Sequence, residues 1–197
     1  MPRLAALERD DLKDFAPLFQ DLEAFFGFLP NDYLTMGRRP EILGAIAQLT
    51  QAVLFSEANT LPMNTRLLIT YMTSRAAGCQ YCIAHNVTLI ERHGVNQEQI
   101  DNINDFATHP AFNAAERAAL TVAKHANTNP NSVTDAQFDA LRPHYSDGEI
   151  AEIVALIAMM SFYNRWNDTM ATTLERPAAD AAAKWIGAEG WSGAKHA

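Results

Sequence analysis

The sequence predicts an all-α protein folded as a single helical bundle. Three observations carry that expectation. Apolar residues recur every three to four positions in one segment after another. No stretch alternates apolar and polar residues between turn residues, as a half-buried strand does. Capping residues, prolines and glycines fall at the ends of the periodic segments.

The first segment, Asp10 to Phe28, carries Phe15, Leu18, Phe19, Leu22, Phe25 and Phe26 at helical spacing, with Pro17 as a possible first turn or kink. Leu29-Pro30-Asn31 breaks it, and Asn31 or Asp32 suits the cap of a short helix. Pro40 suits the first turn of a helix to Phe55, with Ile42, Leu43, Ile46, Leu49, Val53 and Leu54 on its core face. A polar turn, Ser56 to Pro62, precedes a helix from Met63 to Ala77. Gly78 marks a turn, and the next helix runs from Cys79 to His93 and stops at Gly94. Asn96 caps the following helix. Asn113 with Glu116 forms a capping box for a helix to Ala126, and Thr134 caps a short helix ending near Leu141. The longest apolar helix runs from Glu149 to Thr172, and Pro177 opens a last one to Ile186. Residues 1–186 therefore read as one domain, and 187–197 as a loose C-terminal tail.

The 197 residues are 48% hydrophobic and carry a net charge of −8, with no basic stripe. Such an acidic surface repels phosphate backbones, so nucleic acid is not an expected partner. No apolar run is long enough to span a bilayer, and the N-terminus lacks the apolar core of a secretory signal. The expectation is a cytoplasmic protein without membrane association.

Chemistry is concentrated in Ser74-Arg75-Ala76-Ala77-Gly78-Cys79-Gln80-Tyr81-Cys82-Ile83-Ala84-His85-Asn86, which holds both cysteines of the chain. A helix turns about 100° per residue, so Cys82 lies beside Cys79, and His85 beside Cys82. The thiols can reach each other, and the imidazole can reach the second thiol. A helix N-terminus favours thiolate, and a neighbouring His can hold a proton or pair with the anion. Such a dithiol attacks a peroxide or a disulfide and then closes its own disulfide. A buried structural pair of cysteines is the competing reading. A closed zinc site needs four ligands, and Cys79, Cys82 and His85 make three, with His93 two turns on; no metal is expected. Haem attachment needs His directly after the second Cys, where Ile83 stands.

On these residues the chain resembles the carboxymuconolactone decarboxylase superfamily in its alkyl hydroperoxidase D-like, peroxidase-related branch. The Gly-Cys-x-Tyr-Cys-x-x-His core carries the resemblance, with Leu61-Pro62, Arg66 to Ile69 and Gly94-Val95 around it. Weaker similarity extends from Leu29-Pro30-Asn31 and Pro40 to Leu43 upstream, and from Phe112 to Leu120 and Glu149 to Asp168 downstream. The resemblance implies a helical bundle of the alkyl hydroperoxidase D type, assembly into homo-oligomers, and a thiol peroxidase without cofactor. Peroxidase members pair the dithiol with a Glu twelve residues before the first Cys and a His four residues after the second. Those positions hold Leu67 and Asn86 here, and His85 is the available replacement.

The expected activity is reduction of a small-molecule hydroperoxide. Cys82 attacks with help from His85, Cys79 resolves the sulfenic acid as a disulfide, and an unidentified thiol or dithiol reductant restores the pair. Thr70, Tyr71, Ser74 and Asn86 are candidate supporting groups. Leu67 and Asn86 also fit a redox-sensing or binding homo-oligomer with an incomplete relay. A lyase on a small lactone is the third reading. Asn164-Arg165-Trp166-Asn167-Asp168 interrupts the long apolar helix and is read first as an interface or polar lock. If it packs beside the dithiol, Tyr163, Asn164 or Trp166 lines a pocket. His109, His125, His144 and His196 read as surface or ordinary packing.

Overall fold

The computed structural model describes residues 1–187 and 190–197, and among them there is no strand. The chain opens with a 3-10 stretch, Arg9–Phe15, followed by α1 (Ala16–Phe26), α2 (Asn31–Met36) and α3 (Pro40–Thr50). The central helices are α4 (Met63–Ala77) and α5 (Gln80–His93). Short α6 (Gln97–Asp101), α7 (Ala114–Ala126) and short α8 (Asp135–Asp139) lead to α9 (Asp147–Met170) and α10 (Arg176–Ile186).

The first predicted segment is two elements because Pro17 sits in the first turn of α1, where its missing N–H costs nothing. The helix opened by Pro40 is α-helical only to Thr50. It continues through a single π-turn, Gln51–Phe55, which puts Val53 and Leu54 into the core. The capping boxes at Asn113/Glu116 and Ser146/Glu149 are both present, and they set the starts of α7 and α9.

Helix α4 is the spine, with α5, α7 and α9 packed around it and α10 packed on α5. Its buried positions run without a break from Leu67 to Ser74, as expected for a helix covered on most sides. Gly78 ends it at φ 74°, a left-handed turn that L side chains resist. That turn reverses the chain directly into Cys79, the N-cap of α5. The tight α4–Gly78–α5 connection places Cys82, one turn into α5, in the space lined by α2, α5 and α9.

The loose-tail expectation covers residues 187–197, of which 188 and 189 lie outside the described residues. Of the others, Trp191 donates from Nε1 to the Gln80 carbonyl. His196 is fully buried, with Nδ1 on the Thr172 carbonyl and its ring 5.7 Å from that of Tyr81. His196 is therefore not a surface residue. Its own carbonyl accepts from Leu174 N, and Asp168 pairs with Lys195 at 3.1 Å. The chain end thus braces the 171–175 turn between α9 and α10.

Candidate active site

Both cysteines are free and buried, and they occupy different positions relative to the helix. Cys79 caps α5, its Sγ accepting from the backbone N–H of Cys82 at 3.4 Å. Cys82 lies one turn in and lines a compact cavity; Cys79 does not. Phe26, Leu54, Leu89, Met159 and Met160 give that cavity an apolar wall, while Asp32, Asn86 and Asn167 supply polar groups. Burial, and then the Cys79 sulfur beside it, push the Cys82 thiol well above its ordinary range, so the resting group is the thiol.

His85 also lines the cavity, but its Nε2 is bound to Glu175 Oε2 at 2.6 Å. The other oxygen of Glu175 accepts from the Tyr81 hydroxyl at 2.9 Å and from the backbone N–H of Asn31. The His85 ring stacks on Tyr81, with centroids 4.2 Å apart. Burial alone raises the Glu175 carboxyl, but His85 and the accepted hydrogen bonds outweigh it and hold the group below the usual carboxylate range. An ionised carboxylate therefore orients the imidazole one helical turn from Cys82. Glu175 is the N-cap residue of α10, on the braced 171–175 turn.

A second acid, Asp32, lines the same cavity. Asp32, in the first turn of α2, is buried, and Asn167 Nδ2 bridges it to the thiol, 3.0 Å from Asp32 Oδ2 and 3.6 Å from Cys82 Sγ. Burial raises the Asp32 carboxyl to about 6 against the opposing effects of His85 and Asn167. It therefore exchanges its proton near neutral pH.

The raised value has a stability consequence. Between the ordinary 3.8 and about 6 the folded chain holds a proton that the unfolded chain has lost. Stability therefore falls as pH rises through that window and stays reduced above it. Asp32→Asn removes the penalty while keeping an acceptor for Asn167. Chemical denaturation is expected to find the variant more stable than wild type at pH 8 by up to about 3 kcal/mol, with the difference vanishing near pH 4. Equal pH dependence of the two proteins contradicts the assignment.

The supporting residues proposed from sequence divide. Thr70 and Asn86 line the cavity. Asn86 donates to Ser74 Oγ at 3.1 Å and to the Cys82 carbonyl at 2.8 Å, so it clamps α5 to α4. Ser74 stands behind Asn86 and donates to the Thr70 carbonyl. The Tyr71 hydroxyl accepts from Arg75. Leu67 is fully buried and apolar. From the long helix, Tyr163 and Asn167 line the cavity, whereas Asn164 and Trp166 do not. Asp32, Asn167 and Glu175 were not singled out as site residues from sequence. The one signal in the sequence is the polar run 164–168 inside the apolar α9 pattern, which contains Asn167.

Solved structures share this arrangement of helices. The debrominase Bmp8 superposes with a TM-score of 0.85 at 33% identity, over 92% of this chain and 96% of that one. That structure is a cysteine-to-alanine variant in complex with 2,3,4-tribromopyrrole. Residues 40–125 match the carboxymuconolactone decarboxylase family. The chain belongs to that family. A peroxidase-related protein from Ralstonia eutropha JMP134, described as an alkylhydroperoxidase AhpD core, has the same fold, with a TM-score of 0.77 at 23% identity over 90% of this chain and 94% of that one. The uncharacterized protein YdfG of Bacillus subtilis is 23% identical over 112 residues, 56% of this chain and 76% of its own. Members of the superfamily include enzymes of more than one chemistry. Among the described residues no helix is long and apolar enough to cross a membrane, and no group of three or more His, Cys, Asp or Glu is placed to hold a metal ion.

Proposed function

We propose that this member is a dithiol reductase that removes bromine from a small aromatic ring. The observation that carries the reading is the placement, inside one apolar cavity, of the Cys82 thiol and the buried Asp32 carboxyl, bridged by Asn167. Replacing C–Br by C–H takes two electrons and one proton. Oxidising two thiols to a disulfide supplies two electrons and two protons, the second proton leaving with bromide. Asp32 takes the Cys82 proton and passes it to the ring carbon, a task suited to a group whose pKa lies near the working pH. The Cys82 sulfur attacks bromine as the C–Br bond breaks, and the pair of electrons released by that bond goes to the protonated carbon. Cys79 then displaces bromide from the Cys82 sulfur, closing the disulfide and losing its proton. Whole-length similarity to a debrominase supports the substrate class.

Reduction of a small hydroperoxide is the second reading. It has the same electron count: the dithiol becomes a disulfide, and the peroxide becomes an alcohol and water. The cavity holds about 50 Å³, less than a substituted ring needs, and the His85–Glu175 pair can deliver a proton to a leaving oxygen. A brominated ring requires the flexible Met159 and Met160 side chains to swing aside, as methionines do readily.

Steady-state assays with a dithiol reductant separate the two. Bromide release from a tribromopyrrole at a kcat/KM above that for cumene hydroperoxide supports the debrominase reading. Hydroperoxide reduction without bromide release overturns it in favour of the peroxidase. A homo-oligomeric assembly, as the family resemblance implies, goes with either.

A further inference from the structure

The hydrogen-bond directions around the cavity define what kind of ligand it accepts. Thr50 has one hydroxyl proton, and it goes to the Ile46 carbonyl at 2.9 Å. At the 2.7 Å contact between Thr50 and Tyr163, the tyrosine must therefore be the donor. Its proton being committed, Tyr163 accepts from Tyr33, also at 2.7 Å. The three hydroxyls form a one-way chain with every proton in use. The rest of the wall repeats the pattern. Thr70 donates to the Leu67 carbonyl, and Tyr81 to Glu175. Both amide protons of Asn86 are engaged, on Ser74 and on the Cys82 carbonyl. Both amide protons of Asn167 are engaged too, on Asp32 and on the Cys82 sulfur.

The cavity's hydroxyls and amides thus have acceptor capacity left and no donors. Among the described residues two acceptors of the cavity wall have no partner: Asp32 Oδ1 and Asn167 Oδ1, both buried. Asp32 Oδ1 is the seat for the mobile proton, since Oδ2 already accepts from Asn167. Asn167 Oδ1 has no such role, and a buried acceptor left unpaired is costly.

We infer that Asn167 is a specificity residue: its Oδ1 accepts an N–H or O–H carried by the substrate, so the cavity selects compact apolar rings bearing one hydrogen-bond donor. Pyrroles and phenols fit this rule; furans, thiophenes and N-alkylated rings do not. The inference rests on the aromatic-substrate reading above and sharpens it. Because Asn167 Nδ2 also contacts the Cys82 sulfur, one side chain ties the ring's polar edge to the attacking atom. Reversing the hydroxyl chain to offer a donor instead means giving up the Thr50–Ile46 bond, so acceptor-only rings bind less well.

The test uses reduced wild-type protein with rings that cannot be debrominated. Methyl groups stand in for bromines in 2,3,4-trimethylpyrrole and 2,3,4-trimethylthiophene, and each is titrated by calorimetry. The pyrrole is expected to bind about tenfold more tightly or better. In Asn167→Leu that ratio is expected to fall towards one. Equal affinity of the two rings for the wild-type protein overturns the inference while bromide release can still stand. Binding of neither ring overturns it too, with bromide release again deciding the function separately. A ratio that survives Asn167→Leu removes the assignment to this residue. If the variant does not fold, the wild-type ratio still decides the donor rule.

Discussion

Cys82→Ser is expected to abolish turnover, lowering kcat/KM by about three orders of magnitude or more against either a brominated pyrrole or a hydroperoxide. Cys82 is the cysteine that lines the cavity, and a serine hydroxyl, though close in shape, cannot take bromine or oxygen and pass it on as a disulfide. The substitution leaves the packing of α5 in place, so the circular dichroism and melting behaviour should stay near those of wild type. Cys79→Ser is expected to behave differently. Cys79 sits at the helix cap outside the cavity, so its loss leaves the first attack intact and stops the cycle after it. Rapid-quench measurements should find one substrate consumed per chain and then nothing. If the two variants exchange these behaviours, the roles of the cysteines are reversed. If Cys82→Ser retains full activity, the dithiol is not the reacting centre.

The second large effect is expected at Glu175. Its carboxylate binds His85, Tyr81 and the backbone of Asn31 at once. A glutamine offers one oxygen for three donors and adds two donors of its own. It also leaves His85, largely buried, without its anion. Glu175→Gln is expected to lower kcat/KM for hydroperoxide reduction, where the His85–Glu175 pair delivers the proton, by about 10- to 100-fold, the range for loss of an orienting partner of an imidazole. The pH dependence supplies an independent check. The Glu175 carboxyl is held below its ordinary value in the fold, so its stabilisation is present above that ordinary value and is lost as pH falls through the folded one. Wild type should therefore lose stability on acidification in a way the glutamine variant does not.

These two predictions divide what is legible in the sequence from what is not. The dithiol is local: a glycine turn, a cysteine at the start of a helix and a second cysteine one turn later follow from spacing, and α4 and α5 lie within residues 63–93. The same locality made the capping boxes and the Gly94 stop readable. The acids are not local. Glu175 reaches His85 across 90 positions and Asn167 reaches Asp32 across 135, so no periodicity links them. Taken alone, Glu175 and Asp32 read as acids at helix starts, where the dipole is explanation enough. Their burial decides their role, and burial comes from how α2, α9 and α10 close over α5. Leu67 and Asn86 leave incomplete the relay that the family resemblance implies. An ionised carboxylate from the C-terminal half stands on the imidazole instead, and Asn86 is a clamp between α4 and α5. His196 was unreadable for the same reason, since the chain end folds back on the turn that holds Glu175.

In the proposed reaction one substrate is reduced as one Cys79–Cys82 dithiol becomes a disulfide. The direct measurement is a single-turnover experiment on fully reduced protein without external reductant, counting bromide released, or alcohol formed from a hydroperoxide, against thiols lost and the disulfide peptide recovered by mass spectrometry. One product per chain, with two thiols lost into a Cys79–Cys82 disulfide, is the predicted result. Repeated product formation with both thiols intact contradicts the account.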